Sequence, residues 1–381
     1  MKALSVLALV IALLLAACSS DEPVGDPDAL GSAPSAPQPS TRTAEPQQTL
    51  EASPSVGRPT VVRTVASGLE APWGLAFLPD GTALVSERDT ARILALEGPR
   101  NNRVREVGTV DDASPQGEAG LLGLAVSPSY DEDRLVYAYV STADDNRVVR
   151  MEYDGRRLGT PEPVLTGIPN GFTHDGGRLL FADDATLFVS TGESGEPSLS
   201  QDADSLGGKV LHITTDGDPA PDNPRDGSPV WSMGHRNVQG LAFDDDGRLW
   251  ATEFGQNTWD ELNLVEKARN YGWPLVEGRG EGDDYRNPHV TWRTTEASPS
   301  GLAFANGSLW AGALRGERLW EVPVTADGTG KPTDWFVGSY GRVRTVVVAP
   351  NGNLWITTSN RDGRGDPAPQ DDRILEVALP D

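Results

Sequence analysis

The chain has 381 residues, 56 acidic against 32 basic side chains for a net charge of −24, and 42 Gly, 30 Pro and one Cys. Nearly one residue in five is Gly or Pro and only four are Lys, which works against long surface helices and favours an all-β fold. The acidic balance excludes a nucleic-acid binder, whose phosphate contacts need local positive charge, and the lone Cys excludes an internal disulfide or a Cys-built zinc site.

Taken in chain order, Met1-Lys2 and the apolar run Ala3 to Ala17 come first. The run is about 15 residues, short of the roughly 20 that span hydrocarbon, so it reads as a secretory signal. It ends in Leu15-Ala16-Ala17-Cys18, which resembles the bacterial lipobox. That resemblance implies lipidation of Cys18 and an exported protein anchored at the extracytoplasmic face of a membrane. Residues 18–58 are rich in Ser, Pro, Ala and Thr, with too little apolar surface to offset ordering entropy, and are expected to be a disordered tether. Without Lys2 and the tether's six acidic and two basic side chains, residues 59–381 carry −21, so the acidity belongs to the folded part.

From Thr60 onward one phrase recurs: an apolar run, a polar turn, and a second β-rich run. Its copies begin at Gly74, Gly123, Gly177, Gly240, Gly301 and Thr345, between 44 and 63 residues apart with a mean near 54. That period holds four short strands with their loops. The turns are expected to use Asp-Gly or Asn-Gly steps, which tolerate φ > 0. A third strand follows in Arg92-ILAL, Val148-VRMEY, Val210-LHI, Glu261-LNLV, Arg318-LWEV and Arg373-ILEV. Six such sheets stacked radially hide faces and edges that one sheet leaves open, which predicts a six-bladed β-propeller with four-stranded blades. The opening run Thr60-VVRTV is expected to complete a blade with the last strand. A large β-sandwich is the alternative, but it does not require six copies of one phrase.

Propeller function sits on the loops at one mouth of the channel. His174, in the Gly-rich loop before the third blade, is a candidate base for an alcohol proton. Arg236, Arg315, Arg342 and Arg344 stand at corresponding places in the repeat and are expected to face one mouth. There they would invert the local sign and bind a compact polycarboxylate. In Glu253-Phe-Gly-Gln-Asn-Thr-Trp-Asp-Glu261, carbonyls near Gly255 and Gln256, with Asp260 and Glu261, offer only oxygen ligands, a set suited to Ca²⁺.

Six phrases in this order resemble the soluble quinoprotein glucose dehydrogenase and aldose sugar dehydrogenase family, over roughly residues 62–378. They are Gly117-Glu-Ala-Gly-Leu-Leu-Gly123, His174-Asp-Gly-Gly-Arg-Leu179, Gly208-Lys-Val-Leu211 with Asp222-Asn-Pro224, Gly234-His-Arg-Asn-Val-Gln-Gly-Leu241, Asp260-Glu-Leu-Asn263 with Asn270-Tyr-Gly-Trp-Pro274, and Gly341-Arg-Val-Arg344. The resemblance implies a six-bladed propeller that binds pyrroloquinoline quinone (PQQ) and Ca²⁺ and oxidises the anomeric carbon of an aldose to a lactone. Electrons would pass to an external acceptor. It implies His174 as the base, Arg236 and Asn237 on the quinone and substrate, and Arg315, Arg342 and Arg344 on the cofactor's carboxylates. Glu118 would lie near the substrate hydroxyl, the carbonyls of Gly255 and Gln256 on Ca²⁺, and Glu261 and Tyr271 at a second calcium position. The chain departs from the pattern at Glu118 (Gln in the glucose enzyme), Gln256 (Pro), Arg315 (Lys), Thr173 (an Asp before the base) and Thr345 (commonly Asp). A calcium-dependent lactonase, or a propeller that only binds a glycan or protein, are the competing functions.

Overall fold

A computed structural model describes residues 57–380 apart from Pro99 and Asn102; the signal, Cys18 and all but the last two residues of the tether lie outside the described residues. The chain from Thr60 to Ala378 forms six antiparallel sheets, each ordered outward in sequence order except the last. Blade one is Pro72–Phe77, Ala83–Glu87, Arg92–Glu97 and Arg103–Thr109. Blade two is Leu121–Val126, Leu135–Ser141, Asn146–Glu152 and Glu162–Ile168. Blade three is Leu179–Phe181, Leu187–Ser190, Lys209–Ile213 and Val230–Met233. Blade four is Val238–Phe243, Leu249–Glu253, Trp259–Leu264 and Val290–Arg293. Blade five is Pro299–Ala305, Ser308–Ala313 and Arg318–Thr325, with its outer strand split into Gly328–Thr329 and Thr333–Trp335. Blade six is Val343–Val348, Leu354–Thr358 and Arg373–Ala378, and its outer strand is the opening segment Thr60–Ser67, paired antiparallel to Arg373–Ala378. The fold is a six-bladed β-propeller.

The core is divided as the architecture requires. Six clusters of buried apolar side chains each fill the seam between two neighbouring blades. The recurrent Gly that opens the phrase has a packing cause. A Cβ on Gly123 would lie 2.2 Å from the Gly177 carbonyl oxygen, and one on Gly240 would lie 2.3 Å from that of Ser300, each on the next blade. Inner strands therefore touch backbone to backbone around the channel.

The turns differ from expectation in two copies. Gly81, Gly247, Gly307 and Gly352 take positive φ at four of them. In blade two a one-turn helix, Tyr130–Asp133, ends in Arg134 at φ 57°, and in blade three Ala185 takes φ 65°. The channel's two ends differ in chemistry. Phe77, Val126, Phe181, Phe243, Phe304 and Val348, one from each inner strand, line a mainly apolar cavity of about 470 Å³ at one end, with Arg178 the one charged side chain on its wall among the described residues. The polar groups gather at the other.

Candidate active site

His174 lies between blades two and three, on the loop that enters the inner strand of blade three. Its backbone has φ 63°. That left-handed conformation is held from both sides: its N–H donates to Glu118 Oε2 at 2.9 Å, and its carbonyl accepts from Ser194 N at 3.0 Å. The ring is held as firmly. Nδ1 is hydrogen-bonded to Glu193 Oε1, and Nε2 lies 2.9 Å from Arg236 Nη2. A guanidinium only donates and a carboxylate only accepts, so this network assigns the hydrogen to Nδ1 and makes Nε2 the acceptor of the Arg236 N–H. The His174 side chain is 17% exposed against 2% for Glu193, so the imidazole and not the carboxylate is the group open to the mouth.

Arg236 joins this ring to the loop after blade four's second strand. Its Nη1 donates to the carbonyls of Gly255 at 2.7 Å and Phe254 at 3.3 Å. Its own N–H goes to Glu253 Oε1, whose other oxygen holds His235 Nδ1 at 2.8 Å. Burial lowers the Arg236 pKa, opposed by Glu193, Glu118 and Glu253. Three buried polar atoms here have no partner among the described residues: Arg236 Nε, Asn237 Nδ2 and Glu193 Oε2.

Arg342 and Arg344 share one carboxylate. Asp362 Oδ2 lies 2.9 Å from Arg342 Nη2 and 3.3 Å from Arg344 Nη2. Burial alone would raise the Asp362 pKa, but the two guanidiniums bring it below the usual range. Among the described residues, Arg178 has no carboxylate partner. It donates to Gln239 O at 2.9 Å and Thr345 Oγ1 at 3.3 Å, with the Trp73 ring centroid 4.2 Å from its Cζ. Burial pushes Arg178 down to about 9 and Arg344 down to about 10. Arg342 and Arg344 thus share one anion while Arg178 has none, and the undercompensated positive charge of these three is chemistry suited to an anionic ligand. Elsewhere in the site the cations are interleaved with carboxylates: Glu118, Glu193 and Glu253 lie beside Arg364 and Arg236.

Not every expected residue joins. Arg315 is exposed and forms no ion pair or side-chain hydrogen bond among the described residues. Glu118 does join: one oxygen holds His174, the other holds Arg364 Nη1 at 2.6 Å. Burial opposes ionisation of Glu118, but the His174 amide and Arg364 keep its pKa below the ordinary value. Thr345, where an Asp was expected, hydrogen-bonds to the Trp73 carbonyl and receives Arg178.

For a cation, the carbonyls of Gly255 and Phe254 already face the positive Arg236, and such oxygen donors fit a hard ion. No hydrogen bond joins Glu261 to Tyr271. The Glu261 carboxylate receives Gly278 N at 2.7 Å and Asn263 Nδ2 at 2.9 Å, while burial and Glu253 push its pKa up to about 8. The Tyr271 hydroxyl donates to Leu264 O and accepts from Glu266 N at 2.9 Å. Among the described residues, no group of three or more His, Cys, Asp or Glu is placed to hold a metal.

Sequence reasoning did not single out Glu193, Asp362, Arg364 or Arg178. Glu193 had a signal. Glu87 and Glu253 end the second strands of blades one and four, and Glu193 follows that of blade three.

The model of the glucose/sorbosone dehydrogenase family matches residues 69–366. The chain belongs to this family. Among solved structures, the PQQ-bound aldose sugar dehydrogenase of Streptomyces coelicolor is 53% identical with a TM-score of 0.82, covering 85% of this chain and 99% of that one. The aldose sugar dehydrogenase YliI of Escherichia coli is 28% identical, covering 79% of this chain and 91% of its own. Quinoprotein glucose dehydrogenase B of Acinetobacter calcoaceticus is 30% identical over 71% of this chain and 62% of its own. The family is one of sugar-oxidising enzymes, and the matched region takes in blades one to five, the two inner strands of blade six and the residues of the site.

Proposed function

We propose that this protein is a PQQ- and Ca²⁺-dependent aldose dehydrogenase that oxidises the anomeric carbon to a lactone and delivers electrons to an external acceptor. The observation that carries the reading is the tautomer of His174: Glu193 holds the Nδ1 hydrogen, which leaves Nε2 as the ring's acceptor, met here by Arg236 Nη2, whose place the substrate hydroxyl would take. The quinone reported in the Streptomyces relative supports the cofactor assignment. When bound, PQQ supplies the two-electron acceptor for hydride from C1.

The chain's own residues do the rest. His174 Nε2 takes the proton of the anomeric hydroxyl, and Glu193 stabilises the imidazolium that results. Arg236 holds the base from the other side and neutralises negative charge near it. Arg178, Arg342 and Arg344 provide the undercompensated positive charge for a flat triacid, and the unpartnered Nδ2 of Asn237 and Nε of Arg236 are donors available to it. The carbonyls of Gly255 and Gln256 would hold Ca²⁺. Cys18 would anchor the exported protein to a membrane by its lipid.

The test is aldose-dependent reduction of an artificial dye by the purified protein supplied with PQQ and Ca²⁺, with the product identified by NMR. Lactone formation is expected. Cofactor binding without turnover would leave a binding propeller in place of an enzyme.

A further inference from the structure

The loop 254–259, between the second and third strands of blade four, has its amides gathered to one side. Glu277 Oε1 accepts four of them in succession: Gln256 N at 2.8 Å, Asn257 N at 2.9 Å, Thr258 N at 2.8 Å and Trp259 N at 3.2 Å. The preceding amide, Gly255 N, is taken by Asp260 Oδ1 at 2.8 Å. A peptide unit is planar, and in its trans form the N–H of one residue points opposite to the C=O of the residue before it. The N–H of Gln256 and the C=O of Gly255 belong to one such plane, and those of Asn257 and Gln256 to the next. By holding both amides, Glu277 fixes the direction of both carbonyls.

The observed contact agrees with this logic. Gly255 O and Phe254 O receive the Arg236 guanidinium, so the loop already turns oxygens toward a positive group. The turn is tight: a Cβ on Gly255 would lie 1.8 Å from the Trp259 carbonyl oxygen. Gly255 therefore has no room for a side chain, and the carboxylate holds the amides that follow it from behind. Backbone nests of this kind bind anions; here the anion is a side chain of the same chain.

We infer that Glu277 is a positioning residue for a divalent-cation site: it orients the Gly255 and Gln256 carbonyls toward the cation without touching it. This rests on the calcium part of the function proposed above. Groups that orient metal ligands from behind alter affinity by roughly 10–100-fold when replaced.

The experiment is calorimetric titration of Ca²⁺ into the full protein, stripped of metal and without PQQ, for the parent, Glu277→Gln and Glu277→Ala. Far-UV circular dichroism and melting of the stripped proteins are recorded alongside. Calcium affinity is expected to fall about 10-fold in Glu277→Gln, which keeps the shape and loses the charge, and toward 100-fold in Glu277→Ala. An isotherm for Glu277→Gln superimposable on the parent's, in a folded protein, would overturn the inference. A parent that takes up no calcium would overturn the calcium reading itself, which separates the two failures.

Discussion

At the scale of single residues, the histidine loop concentrates three carboxylates around one imidazole. Glu193 bonds the ring, Glu118 bonds the His174 amide, and Asp175 Oδ1 receives Gly171 N at 3.1 Å and Asn146 Nδ2 at 2.9 Å. The family pattern has an Asp just before the base, where this chain has Thr173; here the carboxylate on the ring comes from blade three, 19 residues later. Replacing His174 with Ala should lower turnover by about 10²–10⁴-fold while cofactor affinity stays near normal, measured by steady-state kinetics and equilibrium binding. Glu193→Gln tests the tautomer. A Gln amide can donate to Nδ1 and move the hydrogen to Nε2, so kcat should fall by about 10²–10⁴-fold with a smaller change in KM, and the imidazole ¹⁵N shifts should exchange character. Unaltered ¹⁵N shifts would remove Glu193 from that role. Asp175 gives a pH prediction. Burial raises its pKa from 3.8 to about 6, so between those values the folded chain binds the proton more tightly than the unfolded one. The stability linked to that proton is full below about pH 4 and lost as pH rises through about 6, on the order of 3 kcal/mol in all. Melting of Asp175→Asn should therefore gain on the parent as pH climbs from 4 to 7; a constant difference across that range would contradict the assignment. His174 was legible because a lone His among glycines stands out in composition. Asp362 and Arg364 were not, because their partners Arg344 and Glu118 lie 18 and 246 residues away and nothing local marks the pairing.

Among elements, legibility follows burial. Second strands such as Ala83–Glu87 and Leu249–Glu253 are buried at every position, so they appear in sequence as short apolar runs. Outer strands such as Arg103–Thr109 and Glu162–Ile168 are mostly exposed or half-buried, read as polar loop, and were inferred from the period alone. The two turns without Gly were misjudged because Arg134 and Ala185 carry the left-handed conformation that Gly carries elsewhere, and nothing in their type announces it. The recurrent Gly of the phrase was visible as a repeat mark, but its cause, contact with the next blade's backbone, is a property of neighbouring elements. That contact is testable. In Gly240→Ala the new Cβ would meet Thr252 Oγ1 at 2.2 Å and the Ser300 carbonyl oxygen at 2.3 Å. The hydroxyl can rotate away, but the carbonyl belongs to the inner strand of blade five and cannot move alone. Overpacking of this kind costs about 1–3 kcal/mol, so the denaturant midpoint should fall with an unchanged m-value. Gly247→Ala, at an open turn with no atom within 4 Å of a Cβ, should show only the strain of its φ of 73°.

For the whole molecule, the decisive contact is the one that joins the two ends of the ring. Thr60–Ser67 pairs with Arg373–Ala378 from Thr60 with Ala378 to Ser67 with Arg373, with register shifts at Val61/Arg63 and Thr64/Ala66, and its Val65 and Ala66 fill the seam shared with blade one. This closure was readable because a β-rich run stood before the first copy of the phrase with no hairpin of its own, while the last copy lacked a fourth strand. Closure holds the functional site as well as the fold. Blade six carries Arg342, Arg344 and Asp362, and its loop reaches blade two through Arg364 and Glu118, so a loosened sixth blade would release the cationic mouth. Deleting the residues up to Ser67 leaves the edge of Arg373–Ala378 unpaired and uncovers Ile374 and Trp355. Lost ladder bonds and apolar burial together cost on the order of 5 kcal/mol, and an open edge invites pairing with a second chain. The truncated protein should therefore melt earlier and elute as oligomers at high concentration. A synthetic peptide spanning residues 58–68 should restore the monomer and raise the melting temperature in proportion to the logarithm of its excess, because it binds only the folded ring. If the truncated chain melts with the parent and ignores the peptide, the ring is closed by its blade seams alone and the strand exchange is incidental.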